Sequence, residues 1–165
     1  MIEIFKKSVG RPKLVKLKKP ERGCWIHVTE PIEGDIKALE EMGIDKDILQ
    51  DALDPNEFPR LEYDDRERFL FILVRVPHEE DGHIKTYPLS VFIKNDFIIT
   101  LSLKRHVFFN KFLSESVEFF TTQRTRFLIQ IFSEVSRVYE IYLKRISKTI
   151  KLSLIHISEP TRPLY

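Results

Sequence analysis

The chain has 165 residues and a mass of 19.7 kDa, which suits one domain, since domains average about 150 residues. Hydrophobic residues make up 42% of it, a share that excludes a disordered tail. Its single cysteine, Cys24, leaves no internal disulfide to form and fits a reducing, cytosolic environment. Its apolar runs are far shorter than the ~20 residues of a membrane span, and no apolar signal core follows the basic N-terminus. The composition therefore predicts one domain that does not itself cross a bilayer.

The net charge of +2 hides a strong partition along the chain. Residues 1–22 carry 8 Lys/Arg and 2 Asp/Glu, residues 23–81 carry 6 and 17, and residues 82–165 carry 13 and 6. An acidic middle block thus lies between two basic flanks. Such flanks favour phosphate or an anionic membrane surface, whereas the acidic block is either solvated surface or an attractor of divalent cations.

The first third of the chain predicts two strands followed by two short helices. Lys13–Lys19 has the lysines of an edge strand, and Cys24–Thr29 alternates in the manner of a strand. Apolar residues at helical spacing predict a helix over Asp35–Met42, which Gly43 ends. A second helix is predicted over Asp45–Asp54.

This second predicted helix is amphipathic. Stepping 100° per residue places four apolar side chains on one face and four oxygen-bearing side chains on the other. The apolar face consists of Ile48, Leu49, Ala52 and Leu53, and the polar face consists of Asp47, Gln50, Asp51 and Asp54. Asp45 is the predicted N-cap, and Pro55 ends the helix.

The middle of the chain is rich in aromatic and branched residues and predicts four more strands: Arg60–Tyr63, Arg68–Val76, Tyr87–Lys94 and Phe97–Leu103. Pro77 is predicted to end the second of these, with a polar turn over 78–83. The pair Asn95-Asp96 predicts a tight hairpin between the last two. Because Phe69–Val74 is almost continuously apolar, we expect helices on both faces of the sheet. The predicted fold class is α/β, a layered α/β/α sandwich with a mixed sheet, followed by the start of a long C-terminal helix.

Apolar residues recur at steps of three and four from Phe127 to Ile150 and predict one long amphipathic helix. This helix is longer than a small sheet needs, so part of its stripe is expected to contact another helix or subunit. We therefore divide the chain into an α/β part (1–109), a helical segment that leads toward a missing stalk (110–151), and a terminal segment (152–165). The terminal segment breaks the stripe and is expected to be a foreign tail, with the natural protein continuing beyond Lys151.

The chain has none of the common catalytic motifs, since GxGxxG, GxxxxGK[ST], HExxH, GxSxG and CxxC are all missing. His78 and His83 lie in an acidic predicted turn. We interpret this turn as a solvated hairpin tip, with a metal site as the alternative. Cys24 is expected to be a small core residue. The acidic face around Asp51 is the more interesting candidate, because hydrated Mg²⁺ is commonly held by one or two carboxylates.

The order of four segments resembles the cytoplasmic domain of CorA-type divalent-metal transporters. These segments are CWIHVTEP, GIDKDILQDALDPNEFPRLEYDD, RFLFILVRVP and YPLSVFIKNDFIITLS. The similarity covers Trp25 to Thr100, and the predicted long helix is similar in pattern to the helices that lead into the family's stalk. The resemblance implies a homopentamer of α/β/α domains attached to a membrane pore. The chain lacks the family's Gly-Met-Asn pore motif.

The resemblance also implies a regulatory Mg²⁺, with Co²⁺ as a second ion, bound between neighbouring cytosolic domains to hold the pore closed. The family's acidic position matches Asp51, which is the first expected ligand. The Glu that often precedes it in the family is Gln50 here, which offers a carbonyl oxygen without charge. A further acidic position falls at Glu134. Because the partner carboxylate from an adjacent stalk is missing, this chain is expected to bind Mg²⁺ at millimolar affinity or weaker and to be a monomer or dimer.

Three hypotheses follow from these observations. The first is a cytoplasmic metal-sensing, gating domain of a CorA-type Mg²⁺/Co²⁺ transport protein, not an enzyme, in a membrane pentamer that does not contact nucleic acid. The alternative is a stand-alone α/β binding or scaffold protein whose basic flanks contact nucleic acid or anionic lipid. A metal-dependent hydrolase is the third.

Overall fold

The computed structural model describes residues 1–94 and 96–158, with side chains described as far as Leu154. Seven strands form one sheet: β1 (Ile2–Ser8), β2 (Arg11–Leu17), β3 (Trp25–Thr29), β4 (Arg60–Asp64), β5 (Phe69–Glu80), β6 (His83–Lys94) and β7 (Phe97–Ser102). The described ranges contain the helices α1 (Glu33–Glu41), α2 (Lys46–Leu53), α3 (Phe109–Leu113) and α4 (Arg124–Ser158).

The strand order across the sheet is β2-β1-β3-β7-β6-β5-β4. The neighbours β3 and β7 are parallel, and the other neighbouring pairs are antiparallel. The mixed sheet predicted from the sequence is therefore confirmed. Strand β2 lies at one edge with exposed lysines, as expected for a strand that must not pair with another sheet.

The two faces of the sheet are covered by different helices, which confirms the layered α/β/α sandwich. On one face, Leu39 of α1 and Leu49 of α2 pack with Phe71 and Phe92 of the sheet. On the other face, α3 and α4 pack around Trp25, which is fully buried. The Trp25 ring has five phenylalanine neighbours on this side, with centroids 5.1 to 6.4 Å away: Phe5, Phe109, Phe112, Phe119 and Phe127.

Strand β5 differs from its predicted form in two ways. It continues through Pro77 to Glu80, where the sequence predicted an end and a polar turn. Since β4 pairs with β5 only as far as Leu73, the outer edge of β5 is free at Pro77, and the missing N–H costs no ladder bond on that side. The burial of β5 also alternates over the run that was predicted to be buried throughout: Phe69, Phe71 and Leu73 are buried, but Leu70, Ile72 and Val74 are only half-buried.

The C-terminal half also departs from the expected boundaries. The sequence predicted one helical segment from residue 110, whereas the structure has the short α3 and a connecting loop before α4 begins at Arg124. Helix α4 continues without a break to Ser158, past the expected break at Leu152, and its 35 residues extend over about 52 Å. The strand pairing Lys94 with Phe97 confirms the two-residue hairpin connection, although Asn95 lies outside the described residues.

Candidate metal site on helix α2

Helix α2 is held in place at both ends by its own aspartates. Asp45 accepts a hydrogen bond from the Asp47 N–H at 2.8 Å, as predicted for the N-cap. Asp54 lies at the C-cap and accepts from the Asn56 N–H at 2.8 Å, which turns the chain away from the helix. Leu49 and Ala52 are buried against the sheet. The oxygen-bearing face of the helix consequently points outward.

Asp51 lies on this outward face, and its side chain is 45% exposed. It is bound by the guanidinium of Arg60 at the start of β4, since Arg60 Nη2 donates to Asp51 Oδ2 at 2.5 Å. The same guanidinium donates from Nη1 to Glu57 Oε1 at 2.6 Å and from Nε to Glu62 Oε1 at 2.5 Å. One cation therefore pairs with three carboxylates.

The Arg60 guanidinium is fixed by more than these three ion pairs. Its Cζ lies 5.1 Å from the centroid of the buried Phe71 ring. The loop that carries Glu57 is held by Arg75, whose Nη1 donates to the Glu57 carbonyl oxygen at 2.9 Å. The hydrogen bonds to Glu62 and Asp51 raise the pKa of Arg60 above its ordinary value. Partial burial of the guanidinium lowers this pKa, but by less than the hydrogen bonds raise it. Arg60 is a permanent positive charge beside Asp51.

The other two predicted ligands occupy different surroundings. Gln50 is exposed on α2, next to Asp51 in sequence. Glu134 lies on α4, which packs on the opposite face of the sheet. Its carboxylate is 9% exposed and pairs with Lys111 Nζ at 2.6 Å and with Arg137 Nη1 at 3.3 Å. One copy of the chain therefore does not bring Glu134 together with Asp51.

An acidic cleft borders the start of α2. It has a volume of about 650 Å³, and its charged lining residues are Asp45, Glu62, Asp64, Asp65 and Glu67, together with Arg66 and Lys94. Within the part of the chain that the structure describes, no three histidine, cysteine, aspartate or glutamate side chains are grouped closely enough to hold a metal ion.

Sequence reasoning missed the residues around Asp51. Glu57, Arg60 and Glu62 had no place in the predicted site, yet a local signal connects them. Glu62 follows Arg60 by two residues on a strand, so both side chains lie on the same face. That this face meets α2 depends on the turn after Pro55, which sequence periodicity does not specify.

The fold and this helix define a class: a layered α/β/α domain with an outward carboxylate on a short helix and a long helix that projects from the sheet. Residues 20–161 match the family model described as CorA-like Mg²⁺ transporter protein. The chain belongs to this family, which confirms the resemblance drawn from the sequence.

Individual relatives agree with this assignment. Over 97 residues the chain is 35% identical to the cobalt/magnesium transport protein CorA of Methanocaldococcus jannaschii, a match that covers 57% of this chain and 29% of that protein. The soluble domain of the same organism's CorA has a TM-score of 0.75 at 25% identity, covering 92% of this chain and 62% of that one. The ZntB cytoplasmic domain from Vibrio parahaemolyticus shares the fold, with a TM-score of 0.74 at 13% identity, covering 90% and 63%.

The matched relatives are longer than this chain. The complete structure of the M. jannaschii CorA magnesium transporter has a TM-score of 0.70 at 22% identity, and the match covers 92% of this chain but 49% of that one. The chain thus spans about half the length of that transporter. No helix in the described ranges combines the length and the apolar character that a membrane crossing requires.

Proposed function

We propose that this domain is the cytoplasmic metal-sensing, gating domain of a CorA-type Mg²⁺/Co²⁺ transport protein. The observation that carries the proposal is the family match over residues 20–161 together with the position of Asp51, an exposed carboxylate on the outward face of α2. In exchange for its Arg60 partner, a carboxylate in this position can bind a cation at the boundary with a neighbouring subunit. Its role is regulatory binding and not catalysis.

In this proposal Asp51 is the first Mg²⁺ ligand, and the Gln50 carbonyl contributes a neutral oxygen. Glu134 of an adjacent subunit is the third proposed ligand. Because Glu134 is paired with Lys111 and Arg137, it must exchange those cations for the metal. Co²⁺ is accepted as an alternative ion. The site is completed only between copies, in agreement with the weak affinity expected for a single chain.

The proposed assembly is a homopentamer in the cell membrane, with this domain on the cytoplasmic side and the pore supplied by helices beyond this segment. The long α4 supports this arrangement, since its outer part bears exposed apolar side chains: Ile141, Leu143, Ile146 and Ile150. Exposed apolar side chains of this kind are typical of a helix that packs against further helices. The proposal assigns no nucleic acid to the domain.

The test is a titration of the isotopically labelled chain with MgCl₂ and with CoCl₂, followed by NMR at constant ionic strength. We expect millimolar or weaker binding, with the largest shifts at Asp51 and its neighbours on α2. Asp51→Asn should abolish these shifts. Asp47→Asn is the matched control, since it removes the same charge from the same helix at another exposed position.

Unchanged metal shifts in the Asp51→Asn variant would overturn the assignment of Asp51. If neither ion shifts the α2 signals at 50 mM, metal sensing by this domain is wrong, and retention of the chain on anionic vesicles or on nucleic acid at low salt would favour the alternative reading.

A further inference from the structure

We propose that Arg60 is a tethered counter-ion that occupies the Asp51 carboxylate in the absence of metal and sets the Mg²⁺ concentration at which the site fills. The inference rests on the proposed function, because it concerns the regulation of that same site. Under this proposal Arg60 opposes metal binding at Asp51. An ion pair with a purely structural role would not oppose it.

The geometry shows how Arg60 blocks the site. Its Nη2 donates to Oδ2 of Asp51 at 2.5 Å, so this oxygen already has a charged partner. A divalent ion coordinated by the same oxygen would lie close to the guanidinium, where the two positive charges repel. Mg²⁺ and Arg60 are therefore alternative partners of Asp51.

The remaining contacts show why Arg60 can leave Asp51. After the hydrogen bond from Nη2 to Asp51 breaks, Nη1 still donates to Glu57 and Nε still donates to Glu62. The guanidinium also stays over the Phe71 ring. Arg60 thus stays paired in both states. An arginine that had Asp51 as its sole partner would be left uncompensated, and release would be opposed far more strongly.

The charges explain why only a multivalent ion is expected to win this exchange. Asp51, Glu57 and Glu62 together carry three negative charges against one on Arg60. A monovalent ion carries the same charge as the guanidinium that it would replace. Because the guanidinium is already hydrogen-bonded and tethered, this replacement gains no electrostatic free energy. A divalent ion adds one more positive charge than a monovalent ion does, to a cluster in which negative charges outnumber positive ones. Because arginine stays protonated at physiological pH, the threshold follows the concentration of the ion and not pH.

The size of the effect follows from Coulomb's law. A guanidinium about 5 Å from a divalent ion in a water-like dielectric weakens binding by about 15-fold, and by about fivefold once 0.15 M salt screens the pair. Removal of the Arg60 charge should therefore lower the Kd for Mg²⁺ by about fivefold at 0.15 M salt. The gain should be larger at 0.02 M salt.

The experiment is a MgCl₂ titration of the full chain by NMR, comparing wild type with Arg60→Gln, Arg60→Lys and the double variant Arg60→Gln/Asp51→Asn. We expect tighter binding in Arg60→Gln, near wild-type binding in Arg60→Lys, and loss of the gain in the double variant. Lys85→Gln is the matched control: it removes a positive charge that pairs with Glu80 at 2.8 Å, away from α2, and should leave the Kd unchanged.

A second measurement uses the wild type and needs no variant to fold. The Arg60 Cζ resonance should shift with the same Mg²⁺ midpoint as the Asp51 amide. If Asp51 binds Mg²⁺ but Arg60→Gln binds equally or more weakly, or the Cζ resonance does not move, Arg60 does not compete and the inference fails while the proposed function stands. If Asp51→Asn has no effect on Mg²⁺ shifts in any background, both fail.

Discussion

Two buried histidines should make the domain unstable in mild acid. His27 is 6% exposed, and its ring nitrogens contact the hydroxyls of Thr100 and Thr29, each at 3.0 Å. His106 is 5% exposed, and its Nε2 finds no hydrogen-bond partner among the described residues. Burial lowers the pKa of each from 6.5 to about 4, so both imidazoles are neutral in the folded domain.

The sign and size follow from proton linkage. Between pH 6.5 and 4 the unfolded chain binds more protons than the folded one, so stability is complete above about pH 6.5 and is lost as the pH falls toward 4. With folded values of about 4, a change from pH 7.5 to 5.0 lowers the free energy of unfolding by about 2 kcal/mol per histidine, or about 4 kcal/mol in total.

The assay is urea unfolding at pH 7.5, 6.0 and 5.0, followed by the fluorescence of Trp25, whose ring centroid lies 5.0 Å from that of His27. His27→Gln and His106→Gln should each remove about half of the loss. His83→Gln is the control for a histidine that is exposed at the β5–β6 turn. A wild-type loss below about 1 kcal/mol, or a full loss retained in the double variant, would refute the reasoning.

Three further substitutions test the packing of the fold. Gly23→Ala should lower the free energy of unfolding by about 1 to 2 kcal/mol, because Gly23 has a φ of +77° and an added Cβ would lie 2.8 Å from Thr122 Cγ2. Gly10→Ala is the control and should be nearly neutral in thermal melts, since a Cβ added at Gly10 would have no atom within 4 Å. Equal Tm shifts for the two variants would contradict this explanation. Asp45→Ala should cost about 1 kcal/mol in urea unfolding through loss of the α2 N-cap, and an effect no larger than that of Asp47→Ala would argue against it. Phe127→Ala should cost about 3 to 5 kcal/mol, because the ring packs on Trp25, Phe112 and Phe119. Ile129→Ala, at a 60% exposed position on the same helix, should be close to wild type, and similar losses for both variants would mean that α4 is not held by this cluster.

Local patterns in the sequence were enough to predict most of the elements. The apolar spacing over Asp45–Asp54 predicted α2 with its N-cap and its outward acidic face, and Asn95-Asp96 predicted the hairpin of β6 and β7. These features depend on residues close together in the chain, where helix period, capping and turn preferences act directly. The ordered segments from Trp25 to Thr100 were also enough to indicate the family.

Tertiary structure alone decided the rest. The parallel pairing of β3 with β7 joins segments about 70 residues apart, and no local sequence preference specifies this pairing. Pro77 is a helix or strand breaker in isolation, and it is tolerated inside β5 only because β4 has already ended. The pairing of Arg60 with Asp51 likewise depends on how the turn after Pro55 returns the chain beneath α2. Such contacts form because the whole sheet buries its faces, so their residues are specified by the packed fold and not by the spacing of side chains along the sequence.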